Sequence, residues 1–156
     1  MKRLFFAAFL IAAVFVPALF AQTRTPVTLP GTVRTAWQKP ARYTVTPPNT
    51  LAVRGSAEDA DQINMNDIPY NGARTLVVIV KSISGRFPWG GKMFGLQVNG
   101  TSIVPEGKVV SDHFIEGPMT IDEPLRFSLA GVTGATINII LRTYIGAQYT
   151  LEFWYE

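Results

Sequence analysis

Three groups of residues in this sequence have types and spacings that could support chemistry. The single histidine, His113, stands in SDHFIEG beside Asp112 and close to Ser111 and Glu116. A nucleophile, a base and an orienting acid must converge in space, and neighbours on one strand point to opposite faces. His113 therefore reads as a capping or solvent-facing residue. Asp59, Asp61, Asp67, Asp112, Glu116, Asp122 and Glu123 supply carboxylates, but glycoside hydrolysis needs two of them at a fixed separation across a sugar, which spacing in the chain does not provide. No enzyme activity is expected.

The second group is EDADQINMND, where Glu58, Asp59, Asp61 and Asp67 are candidate calcium ligands. Calcium takes six to eight oxygens, and carboxylates, amides and carbonyls of one loop can supply them. The run lacks the glycine and closing glutamate of an EF-hand, so a solvated loop with capping acids is the competing reading.

The third is GRFPWGGK, which sets Phe87 and Trp89 among glycines. Aromatic rings on a loop can stack on a sugar face or anchor an interface. They can equally fold back and plug the end of a β-domain. Arg86, Lys92 and Tyr70 would add hydrogen bonds if the loops converge.

The elements that must position these residues follow from the rest of the chain. Met1 to Ala21 has the basic start, short apolar run and small final residue of a secretory signal peptide, cut after Ala21. Export to the periplasm or the medium is expected. The chain has no cysteine, which removes thiol catalysis, thiolate metal sites, a disulfide framework and a lipid anchor at cysteine. Without Lys2 and Arg3, the 14 basic residues become 12 against 11 acidic ones. A net charge of about +1 makes no electrostatic case for nucleic acid.

Residues 22–40 are rich in Thr, Pro and Arg and predict an extended lead-in. The remainder, 41–156, is long enough for one domain. Arg42 to Thr46 and Thr50 to Arg54 read as strands around Pro47-Pro48-Asn49. Ser56 to Asn71 reads as a polar loop with one helical turn before Pro69. Thr75 to Ile83 is an almost unbroken run of β-formers, expected inside a sheet and covered on both faces. Asn99-Gly100 predicts a two-residue hairpin turn, placing Val98 opposite Thr101 and Leu96 opposite Ile103. Lys108 to Asp112 and Pro118 to Ile121 are short candidates. Leu125 to Leu129, Ile137 to Leu141 and Tyr149 to Tyr155 alternate as half-buried strands. About eight or nine short strands without an amphipathic helix predict an all-β, antiparallel sandwich. A membrane barrel would need longer segments alternating throughout, which Thr75 to Ile83 does not do.

The succession TLVVIV, LQVNG, LRFSLAG, INIIL and YTLEFWYE resembles galactose-binding-like jelly rolls, the sandwich of many carbohydrate-binding modules, over Thr50 to Glu156. The resemblance implies non-catalytic binding at edge loops, often with a structural calcium ion. The expected function is thus an exported module binding a carbohydrate or a cell-envelope polymer. The alternative is a structural protein that associates with copies of itself through strand edges or the 22–40 arm.

Overall fold

The computed structural model describes residues 23–30, 34–35 (backbone only), 42–56, 60–84 and 92–156. The expected signal peptide lies outside these residues. Every regular element among them is a strand: β1 (Thr25–Pro26), β2 (Arg34–Thr35), β3 (Arg42–Thr46), β4 (Thr50–Arg54), β5 (Asp61–Pro69), β6 (Thr75–Ser84), β7 (Phe94–Val98), β8 (Thr101–Ile103), β9 (Val110–Ser111), β10 (Phe114–Ile115), β11 (Pro124–Ser128), β12 (Thr136–Thr143) and β13 (Gln148–Tyr155). All pairings are antiparallel. One sheet has the order β11-β6-β13-β4-β3, with β1 joined to β13. The other has the order β2-β5-β12-β7-β8, and β9-β10 is a separate hairpin. The two sheets share one hydrophobic core, a sandwich-like arrangement.

Period-two alternation decides which side chains fill that core. Tyr149, Leu151, Phe153 and Tyr155 of β13 are all buried, as are Ile137, Ile139 and Leu141 of β12 and Leu125 and Phe127 of β11. Strand β6 is interior to its sheet, as expected. Its Leu76, Val78 and Val80 enter the core, while Val77 is buried on the other face, where its cross-strand partners are Trp154 and Arg126. Side chains of adjacent strands therefore cover that outer position. The Asn99-Gly100 turn has positive φ at both residues (50° and 81°), and the pairs Val98–Thr101 and Leu96–Ile103 form as expected.

Three expectations are corrected. Among the described residues, the polar stretch before Pro69 has no helical turn; Asp61–Pro69 is the nine-residue strand β5. Ile63, Met65 and Ile68 are its core side, while Gln62 and Asn64 face outward and hydrogen-bond to each other at 2.8 Å. The step from Met65 to Ile68 breaks the alternation through a bulge at Asp67, whose φ is 55°. The Asp67 N–H donates to Asn138 Oδ1 at 3.0 Å, and the Asn138 N–H donates to Asn99 Oδ1 at 2.9 Å, tying bulge to hairpin turn. Pro118 to Ile121 is not a strand. Instead β9 and β10 form a hairpin whose two turn residues are Asp112 and His113, with φ of 48° and 70°. Aspartate and histidine are among the side chains that tolerate this region.

The third correction concerns the lead-in, which does not stand apart from the sandwich where it is described. Val27 and Leu29 are core residues, Thr25 and Pro26 pair with Tyr155 and Trp154, and Arg34 and Thr35 pair with Asn64 and Ile63.

The β9-β10 hairpin lies on β7 at Gly95, which is buried. A Cβ there would sit 1.7 Å from the His113 carbonyl oxygen, a backbone atom that cannot swing aside. Gly95→Ala is therefore expected to lower stability by about 1–3 kcal/mol, the usual range for overpacking. Urea unfolding of the variant checks this; an unchanged midpoint would show that the hairpin can lift off without loss.

Candidate functional site

Of the sequence-predicted ligand residues, the two that are described, Tyr70 and Lys92, lie at opposite ends of the sandwich. Tyr70 follows β5 and donates its N–H to the Ala135 carbonyl at 2.9 Å, just before β12 begins. Lys92 precedes β7, next to Met93, whose carbonyl accepts from the Tyr144 N–H just after β12 ends. The length of β12 thus separates them, roughly 25–30 Å at the rise of an extended strand. Tyr70 and Lys92 do not meet. Tyr70 is committed locally: its hydroxyl donates to the Ala73 carbonyl at 2.6 Å, and its ring meets Tyr155 edge-on at 5.9 Å. Burial, with the neighbouring Tyr70, pushes the Tyr155 hydroxyl up to about 12, and that hydroxyl donates to the Pro69 carbonyl at 2.9 Å.

Arg86, Phe87 and Trp89 lie outside the described residues, in the segment 85–91 bounded by Ser84 and Lys92. At that end Lys92 Nζ is 3.2 Å from Asp112 Oδ2 and 3.9 Å from Glu116 Oε1. The Ser111 hydroxyl donates to Glu116, not to His113. His113 is exposed in its turn, so Ser111, Asp112 and His113 do not form a relay. A groove of about 480 Å³ lies here, lined by Lys92, Lys108, Val109 and Glu116.

The calcium candidates are also dispersed. Asp61 and Asp67 open and nearly close β5, six residues apart, or about 20 Å at strand rise. One ion cannot bind both. Asp61 is buried, and its Oδ1 accepts the Gln62 N–H at 2.6 Å; Asp67 is exposed on the bulge. Glu58 and Asp59 lie outside the described residues. Among those described, no three acidic or histidine side chains converge as a metal site.

A different surface emerges on the outer face of the β6-β13-β4-β3 strands. Register sets Thr44, Ala52, Thr150 and Ser82 in one row across the sheet, and Arg42, Arg54, Gln148 and Ser84 in the next. These rows floor an open groove of about 210 Å³. The Ser82 hydroxyl donates to Thr150 Oγ1 at 2.8 Å. Arg42 and Arg54 are directly opposed and exposed. Like charges facing each other across a strand pair are unfavourable by a few tenths of a kcal/mol, up to about 1. The sequence carried a signal for this pair: a hairpin closed by residues 47–49 sets Thr46 against Thr50, and counting back opposes Arg42 to Arg54.

The matched arginines elsewhere make the contrast plain. Arg24 Nε and Arg126 Nε lie 2.9 and 3.0 Å from the two carboxylate oxygens of Glu156, whose side chain is only 2 % exposed. Burial works to raise the Glu156 pKa, but hydrogen bonds and charge from the two arginines outweigh it and hold it below the ordinary 4.5.

The sequence matches no protein-family model and no curated protein.

Glu156 gives a signed pH dependence. A carboxyl with a depressed folded pKa stabilises the fold above its unfolded value and loses that contribution as pH falls through the folded value. Glu156→Gln is therefore expected to lower stability at pH 7 by about 1 kcal/mol, since both arginines are partly solvated. The difference from the parent should shrink as pH falls below the ordinary 4.5 and vanish once the folded carboxyl is itself protonated. Thermal unfolding across pH 2 to 7 measures both limbs, and a constant offset at every pH would refute the ion-pair account.

Proposed function

We propose that this protein is an exported, non-catalytic module of jelly-roll type that binds a carbohydrate or a cell-envelope polymer. The jelly-roll reading is supported by the strand order, in which β4-β13-β6-β11 faces β5-β12-β7-β8 and the chain passes repeatedly between sheets. Export rests on the signal-like sequence of Met1 to Ala21.

The observation that carries the binding function is the outer face of the larger sheet. Thr44, Thr150 and Ser82 present hydroxyls, and Gln148 presents an amide, on the floor of a groove open to solvent. Such donors and acceptors match the hydroxyls of a sugar chain. Ser84, the last residue of β6, lines that groove, and Phe87 and Trp89 follow it in the sequence.

The assembly alternative has one supporting observation: β3 is an edge strand, with no partner on its outer side among the described residues. Such an edge can accept another strand. Deleting 22–40 would not isolate that role, because Val27 and Leu29 belong to the core.

Binding of the exported protein to a panel of glycans and cell-wall fragments tests the module reading. Trp89→Ala should weaken binding at least tenfold while the protein stays folded, and Tyr70→Ala, at the far end, should leave affinity unchanged. No binding to any fragment by folded protein, together with concentration-dependent oligomers in sedimentation, would replace this reading with assembly.

A further inference from the structure

We infer that the groove on the outer face of the larger sheet is an anion site, and that its ligand is an acidic polysaccharide whose sugar carboxylates are held by Arg42 and Arg54. The inference rests on the binding reading above and deepens it by naming the chemistry of the ligand.

Four observations converge on one patch. Arg42 and Arg54 are cross-strand partners, so their Cα atoms lie about 5 Å apart. Both line the same groove and both are exposed. Among the described residues neither makes an ion pair, although Arg24, Lys81, Lys92 and Arg126 each do. Gln148 is the partner of Arg54 on its other side, followed by Ser84, with the Ser82 and Thr150 hydroxyls in the next row. Among the described residues, two guanidiniums without an ion pair therefore sit at one end of a neutral hydrogen-bonding floor.

That arrangement fits one ligand class best. A guanidinium presents a planar fork of donors that matches a carboxylate in bidentate fashion. A single anion between the two arginines removes their mutual repulsion, so the pair is unfavourable empty and favourable filled. The adjacent amide and hydroxyls suit the ring hydroxyls of the sugar that carries the carboxylate. Nucleic acid would call for a broad basic face. The mature chain expected from the sequence carries a net charge of only about +1.

The test compares polygalacturonate with the same polymer fully methyl-esterified, using protein expressed from the full-length chain. Polyglycerol phosphate, dextran sulfate and single-stranded DNA serve as further anions. Polygalacturonate is expected to bind at least tenfold more tightly than the ester, and to weaken as salt is raised. The Arg42→Gln, Arg54→Gln double variant should lose at least tenfold of that affinity. Its thermal midpoint should hold or rise, because a like-charge pair has been removed. A charge-matched control, Arg74→Gln with Lys108→Gln, should bind as the parent does. Equal binding of polymer and ester, or full binding by the double variant, overturns this inference while leaving the module reading intact. Preference for the phosphate polymer, the sulfate polymer or DNA overturns the carboxylate assignment. No binding to any glycan overturns both readings.

Discussion

The fold depends on β13 being hydrogen-bonded on both sides while one of its faces is wholly buried. It pairs with β6 along its whole length, with β4 over Gln148 to Glu152 and with β1 at Trp154 and Tyr155. Its inward set, Tyr149, Leu151, Phe153 and Tyr155, fills the middle of the core. Burying each such side chain is worth about 1.5–3 kcal/mol. A one-residue slip would exchange that set for Gln148, Thr150, Glu152 and Trp154, so the register is held firmly. Because β13 is central, its register also sets which residues of β4 and β6 share an outer row, and hence the composition of the outer groove.

The two outer faces are used differently. On the smaller sheet the β9-β10 hairpin closes over β7, with the His113 carbonyl against Gly95. The groove on the larger sheet, by contrast, stays open to solvent. Buried polar groups lie at both ends of the sandwich, with Asn49 and Glu156 at one and Asp61, Thr143 and Tyr149 where β12 finishes and β13 begins. There burial pushes the Tyr149 hydroxyl's pKa up, with Thr143 beside it working the other way. Among the described residues, the buried Arg142 Nε, Thr143 Oγ1 and Tyr149 hydroxyl have no hydrogen-bond partner of good geometry. Unpaired buried groups of this kind subtract from stability, and the aromatic contact of Phe94 with Tyr149 at 5.4 Å offsets part of that loss.

Legibility in the sequence followed the strength of the local signal. Asn99-Gly100 gave both a turn and a register, because few residues accept positive φ twice in succession. The clean alternations at 125–129, 137–141 and 149–155 became strands for the same local reason. β5 was hidden, since Gln62, Asn64 and Asp67, together with the buried Asp61 at its start, made a strand look like a polar loop, and its bulge broke the period. The Asp112-His113 turn was hidden because that pair is a less common turn signal.

The sequence by itself determined the all-β class, the hairpin at Asn99-Gly100 and the inward faces of the long strands, because each depends only on side chains a few residues apart. Tertiary structure alone decided that Tyr70 and Lys92 lie at opposite ends and that Asp61 and Asp67 cannot share an ion. It also decided that Val27 and Leu29 belong to the core and that Arg42, Arg54, Gln148 and Ser84 form one row. Those relations come from pairing between strands distant in the chain, and pairing partners are chosen by the burial of the whole core rather than by any local pattern.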